Sequence, residues 1–157
     1  MKSETQVDLL WFSIMGIVRQ NKHYDEVVWM TGSYYVVNFL RQILLKKSFD
    51  LNMFHHLITP LSLYILAKKH NTELLSKIIT QYNLTVAFLL LAKDNQDTEF
   101  GLLCGILCCM LWLRFRIYDT AKLYMNLPYD PSLNIILLFL GMNIFWFMKI
   151  IEKIIEK

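Results

Sequence analysis

Two adjacent histidines, His55 and His56, stand in a stretch from Leu51 to Ala67 that holds no Asp, Glu, Lys or Arg. An imidazole titrates near neutral pH, so either ring could act as a general base. On a helix the two neighbours point about 100° apart, and at most one faces squarely inward. Thr59 follows one turn later. Pro60 comes next, and because it has no N–H it leaves the carbonyl of His56 as an acceptor for a side chain or a bound molecule. Adjacent histidines seldom chelate one ion and no cysteine or carboxylate stands beside them, so neither a metal nor a cofactor is expected. Cys104, Cys108 and Cys109 share a different apolar segment without zinc-type spacing and read as packing residues.

The elements that must position these groups are long apolar helices. Of 157 residues, 55% are hydrophobic and 18% charged, well below the roughly 25% charged of an ordinary soluble domain. Six stretches are candidates for crossing a bilayer: Leu9 to Val18, Val27 to Leu40 (continuing to Leu45 past Arg41), Leu51 to Ala67, Ile78 to Ala92, Phe100 to Leu113, and Leu133 to Met148. Between them lie charged or turn-forming breaks: Arg19 to Glu26, Lys46-Lys47 with Asp50, Lys68 to Asn71, Lys93 to Asp97, and Leu127 to Pro131. The apolar runs are continuous instead of alternating, which disfavours strands. The fold class expected is an all-α, polytopic transmembrane bundle of five to six spans. A segment 1–26 carries a short first helix and 27–157 forms the main membrane domain. A soluble helical bundle with a large core is the alternative. Met1 to Asp8 is polar and mixed in charge, so no signal peptide is expected.

Polar side chains deep in a span normally turn inward and find a partner. Counted at about 1.5 Å per residue from the nearest charged boundary, Asn38, His55, His56, Thr59, Asn83, Thr85 and Asn143 all fall about 7 to 15 Å below the same side of the membrane. Four helices thus contribute amide, imidazole or hydroxyl groups to one half of the bilayer, enough for a buried polar pocket. Taken singly, Thr85 and Asn143 read as interhelical hydrogen-bond glue. Arg114 and Arg116 fall in the last turns of the Phe100 to Leu113 span, where they can snorkel toward the opposite side. Asn83-Leu84-Thr85 matches a glycosylation sequon but sits inside an apolar helix, out of a transferase's reach. The net charge is +3 and no basic run exceeds a pair, so a nucleic-acid partner is not expected.

Three blocks resemble the TLC-domain family of membrane proteins. Gly32-Ser33-Tyr34-Tyr35-Val36-Val37-Asn38-Phe39-Leu40 followed by Phe54-His55-His56-Leu57-Ile58-Thr59 is similar to its aromatic-rich span and His-His motif. Arg116-Ile117 resembles the Arg-hydrophobic step after its penultimate span. Leu140-Gly141-Met142-Asn143-Ile144-Phe145-Trp146-Phe147 resembles its last helix. The likeness runs from about Val27 to the C-terminus. It departs where the family commonly has Asp and this chain has Asn38, and where Asn83-Leu84-Thr85-Val86-Ala87 replaces a Glu-x-Ser-x-Pro-like step.

The resemblance is nearer the TLC domain-containing (TLCD) proteins than the ceramide synthases. It implies an endoplasmic-reticulum, multi-pass protein acting in membrane lipid composition, lipid binding or lipid homeostasis. Membrane lipids, through an acyl chain or a sphingoid or phospholipid head, would be its partners. Asn38, Thr59, Asn83, Thr85, Asn143 and Arg116 would line the lipid pocket. A second expectation is an acyl-CoA-dependent N-acyltransferase in which His55 or His56 is the catalytic base and acyl-CoA the co-substrate. A third is a structural or trafficking component that recognises other spans.

Overall fold

The computed structural model describes residues 3–45, 50–69, 71–128 and 130–155, without the side chains of residues 3, 4, 52, 132, 154 and 155. Lys46, Lys47, His70 and Tyr129, which figure in the sequence reading as connection residues, lie outside the described residues. Among the described residues, seven α-helices follow in chain order: α1 (Ser3–Gln20), α2 (Tyr24–Leu44), α3 (Leu51–Lys69), α4 (Thr72–Asp94), α5 (Glu99–Leu111), α6 (Asp119–Asn126) and α7 (Asn134–Ile155). A wide π turn, Trp112–Tyr118, joins α5 to α6 without a break, and a 3-10 turn, Pro131–Leu133, precedes α7. No strand occurs among the described residues.

The helix starts are written in the short polar residues of the breaks. Oδ1 of Asp50 accepts the N–H of Met53 at 2.7 Å, Oδ1 of Asn71 accepts that of Glu73 at 2.7 Å, and Oγ1 of Thr98 accepts that of Gly101 at 3.0 Å. Each satisfies an amide that the first helical turn leaves without an intrahelical partner. α1 ends differently. Lys22 adopts φ 63°, its N–H reaches the carbonyl of Arg19 at 2.9 Å, and the next N–H, of His23, reaches that of Val18 at 3.2 Å. That is a Schellman-type stop with lysine where glycine is usual.

Among the described residues, three helical runs are long and apolar enough to cross a membrane: Thr72–Asp94, Glu99–Asn126 and Asn134–Lys153, of 23, 28 and 20 residues. They contain the fourth and fifth apolar stretches of the sequence and all of the sixth but Leu133, which lies in the 3-10 turn. The fifth differs from expectation, because the helix does not stop near Leu113. It passes through the π turn and α6 to Asn126. α1 is likewise longer than the uncharged Leu9 to Val18 stretch that marks it in the sequence.

The chain divides into two compact units, residues 14–79 and residues 1–13 with 80–157. Within the first, α2 and α3 pack along their length. Gly32 faces Pro60, where an added Cβ would lie 4.0 Å from the proline Cβ, and Trp29 meets Tyr64 with ring centroids 6.0 Å apart. Met15, Val27 and Val28 are buried in this unit, and Oγ1 of Thr31 lies 3.8 Å from the sulfur of Met15. Within the second, α7 packs on α5, the π turn and α6.

Replacing Lys22 by glycine removes the steric penalty of a side chain at positive φ while keeping both terminal hydrogen bonds. The variant Lys22→Gly should be more stable than the parent by about 0.5 to 1 kcal/mol, seen as a higher midpoint in thermal melting of the detergent-purified protein.

Candidate functional site

Arg116 is the most demanding side chain in the unit formed by 1–13 and 80–157, since a guanidinium in an apolar bundle must find acceptors for its fixed fork of N–H groups. It is 4% exposed. Its Nε donates to Oγ1 of Thr85 at 2.6 Å, one terminal nitrogen donates to Oδ1 of Asn143 at 3.2 Å, and the other donates to the carbonyl of Tyr82 at 3.0 Å. The guanidinium carbon lies 4.3 Å from the Trp112 ring centre and 4.5 Å from that of Tyr82, within cation–π range of both.

The partners are tied to one another by a consistent set of protons. Thr85 donates its hydroxyl to the carbonyl of Tyr82 at 2.7 Å, which leaves its oxygen lone pairs for Arg116. Thr120 donates to the carbonyl of Phe115 at 3.3 Å, so the short hydrogen bond between Tyr82 and Thr120 has the phenol as donor. The phenol oxygen then accepts from Nδ2 of Asn143 at 3.5 Å, which orients that amide with its oxygen toward Arg116. Trp112 donates its indole N–H to the carbonyl of Asn143 at 2.9 Å. Cys108, one turn before Trp112, points its sulfur at the carbonyl of Thr85, 3.5 Å away.

The π turn makes this possible. Cys104, Cys108, Trp112, Arg116 and Thr120 are all buried, and each is four residues from the next. In an α-helix a four-residue step overshoots a full turn by about 40°, so the row would wind away from α4 and α7. The wider i→i+5 turn takes up that overshoot. Its signature is the backbone N–H of Asp119 bonding to the carbonyl of Arg114, while the side-chain hydroxyl of Thr120 donates to the carbonyl of Phe115. Arg114, two residues before Arg116, is exposed and lies 3.5 Å from Asp119 across the turn. The expectation that Arg114 and Arg116 both snorkel from the end of a span is therefore corrected for Arg116: the helix continues past it, and its face is turned inward.

The histidines belong to the other unit. His55 and His56 are half-buried on α3, beside Tyr35 of α2. The Tyr35 ring centre is 5.1 Å from that of His55 and 5.2 Å from that of His56, and the two imidazoles are 5.8 Å apart. Thr59, which is buried, donates to the carbonyl of His55 at 2.8 Å and lies 3.2 Å from its Nδ1. With the hydroxyl proton committed to the carbonyl, the ring N–H of His55 falls on Nδ1, which donates to Thr59, and the basic lone pair falls on Nε2. Nδ1 of His56 is buried and has no hydrogen-bond partner among the described residues.

No family model, curated protein or solved structure matches this chain.

The sequence candidates thus fall in two groups. Asn38, His55, His56 and Thr59 lie in the unit 14–79, with Asn38 half-buried on α2; Asn83, Thr85, Asn143 and Arg116 lie in the other. Of these four, Thr85, Asn143 and Arg116 share hydrogen bonds, while Asn83 is half-buried next to Tyr82 in α4. Tyr35, Tyr82, Trp112 and Thr120 were not among the expected residues. Three of them left a sign in the sequence: Trp112 and Thr120 continue the four-residue row through Arg116, and Tyr82 precedes Thr85 by three, the spacing that shares a helix face.

The Arg116 network makes a stability prediction. Thr85→Val leaves Nε of Arg116 without its acceptor and should destabilise the protein by about 1 to 3 kcal/mol, and Asn143→Leu by a similar amount. Because both act through one guanidinium, the double variant should deviate from additivity by about 0.5 to 3 kcal/mol in denaturant titrations of the purified protein.

Proposed function

We propose that this chain is a multi-pass endoplasmic-reticulum membrane protein of TLC type that sets membrane lipid composition by holding a lipid at its His55–His56 centre. The observation that carries this reading is the ring cluster of Tyr35, His55 and His56, lodged between two helices whose outer faces are apolar. Val37, Leu40 and Leu44 on α2, and Leu57 and Leu61 on α3, are exposed hydrophobic side chains. Such surfaces suit hydrocarbon and are unfavourable in water. At 21 and 19 residues these helices are each about 30 Å long, the thickness of a hydrocarbon core. The charges of α2 gather at its ends, with Asp25 and Glu26 in the first turn and Arg41 in the last. With the three longer apolar runs this supports five spans, and α1 supplies a sixth.

In this reading the imidazoles and the Tyr35 ring meet the polar head of a lipid whose chain lies against the apolar helix faces. Deletion of the gene should change the abundance of at least one phospholipid or sphingolipid class in the cellular lipidome. Re-expression of the parent should restore it, and re-expression of His55→Ala/His56→Ala at equal protein level should not. An unchanged lipidome on deletion defeats the proposal.

The orientation of His55 favours a second reading, N-acyl transfer. Thr59 fixes the ring with Nε2 as its basic atom, as a general base requires. In that reaction an amine attacks the thioester carbon of an acyl-CoA. The amide C–N bond forms and the C–S bond breaks, and the amine proton passes through the imidazole to the departing thiolate. Purified protein supplied with acyl-CoA and a sphingoid base should release free thiol, and His55→Ala should reduce the rate by about 10²- to 10⁴-fold. Turnover unaffected by His55→Ala and His56→Ala excludes this mechanism.

A further inference from the structure

A groove in the unit 1–13 and 80–157 meets the Arg116 network at Cys108, whose sulfur points at the carbonyl of Thr85. Leu89 and Ala92 of α4, Leu102 of α5 and Ile150 of α7 form its apolar walls, and its volume is about 240 Å³. That is room for about eight water-sized groups, a volume a stretch of acyl chain could fill. Its floor is α5 at Gly101 and Gly105. Gly101 is held against the carbonyl of Asn95, where a Cβ would collide, whereas a Cβ on Gly105 would meet only that of Ala92, at 4.0 Å. The missing side chain at Gly105 therefore leaves part of the groove open.

The charged residues lining the groove are Lys93, in the last turn of α4, and Lys153, near the end of α7. Both are exposed, and neither has an ion-pair partner among the described residues. The nearby carboxylate of Glu152 is taken by Lys149, whose Nζ lies 2.7 Å from it. Two cations at the end of membrane-length helices, above an apolar slot that descends along α4 and α5, match one chemistry: a phosphate at the interface with a hydrocarbon chain below it.

We propose that this groove is a binding site for an anionic phospholipid of the surrounding bilayer, its phosphate between Lys93 and Lys153 and one acyl chain over Gly105. The proposal rests on the assignment of α4, α5 and α7 to a membrane and is independent of what the histidines do. A lysine near an anionic lipid contributes roughly a fivefold preference, so the pair favours phosphatidylglycerol over phosphatidylcholine by about 25-fold.

The test is native mass spectrometry of the detergent-purified full chain with phosphatidylglycerol and phosphatidylcholine of identical acyl chains. The parent should retain phosphatidylglycerol with that preference. Lys93→Gln/Lys153→Gln should bring the two lipids to near parity, Lys93→Arg/Lys153→Arg should keep the preference, and Gly105→Leu should lose both lipids. Equal retention by the parent, or a preference undiminished in the glutamine variant, overturns the site. Displacement of bound phosphatidylglycerol by glycerol phosphate as readily as by the whole lipid overturns the acyl groove. If Gly105→Leu does not fold, the lysine variants decide the matter. Recovery of the chain without detergent would instead defeat the membrane assignment, before any lipid is added.

Discussion

A guanidinium cannot be lodged among apolar helices unless its rigid fork of donors is met by oxygens already in place. In the unit of residues 1–13 and 80–157 that requirement ties the helices together. Arg116 calls for a hydroxyl and a carbonyl from α4 and an amide from α7, and these groups hold one another in turn through Tyr82, Thr120 and Trp112. Apolar packing between membrane-length helices is non-directional, since lipid tails are as apolar as leucine. The directional bonds to Arg116 fix which face of each helix turns toward the others.

The histidine centre in residues 14–79 is built on a different principle. Its groups meet mainly through rings, with one hydroxyl, that of Thr59, tied to His55. The Tyr35 ring stands nearly perpendicular to that of His55 and tilted against that of His56. One imidazole is oriented by a hydrogen bond and the other retains a buried nitrogen with no such partner among the described residues. Full saturation suits a structural clamp, while incomplete saturation suits a place where a ligand supplies the missing partner.

Much of this architecture was legible in the residues themselves. Continuous apolar runs bounded by charges marked the helices, while the capping roles of Asp50, Asn71 and Thr98 emerge only from the structure. The polar residues singled out by depth included Thr85 and Asn143, which the structure joins through Arg116. Depth alone could not say which residues share a unit, because it measures height along a helix and not rotation about it. Nor could it place Arg116 inward. A charge 16 residues into a span looks like a boundary, and only the local change in helical winding turns it into an interior group. Tyr82 and Trp112 escaped notice because aromatic residues are ordinary in apolar segments and reveal a polar role only through a specific partner.

The wide turn at Trp112–Tyr118 also has a meaning for descent. An i→i+5 turn is an α-helix that has accommodated one additional residue, so the chain on its two sides belongs to two registers. Any distant relative with an uninterrupted α-helix here would line up with this chain only if a gap of one position is allowed between 112 and 118. Without that gap, every position beyond it would be matched to a neighbour on the wrong side of the cylinder.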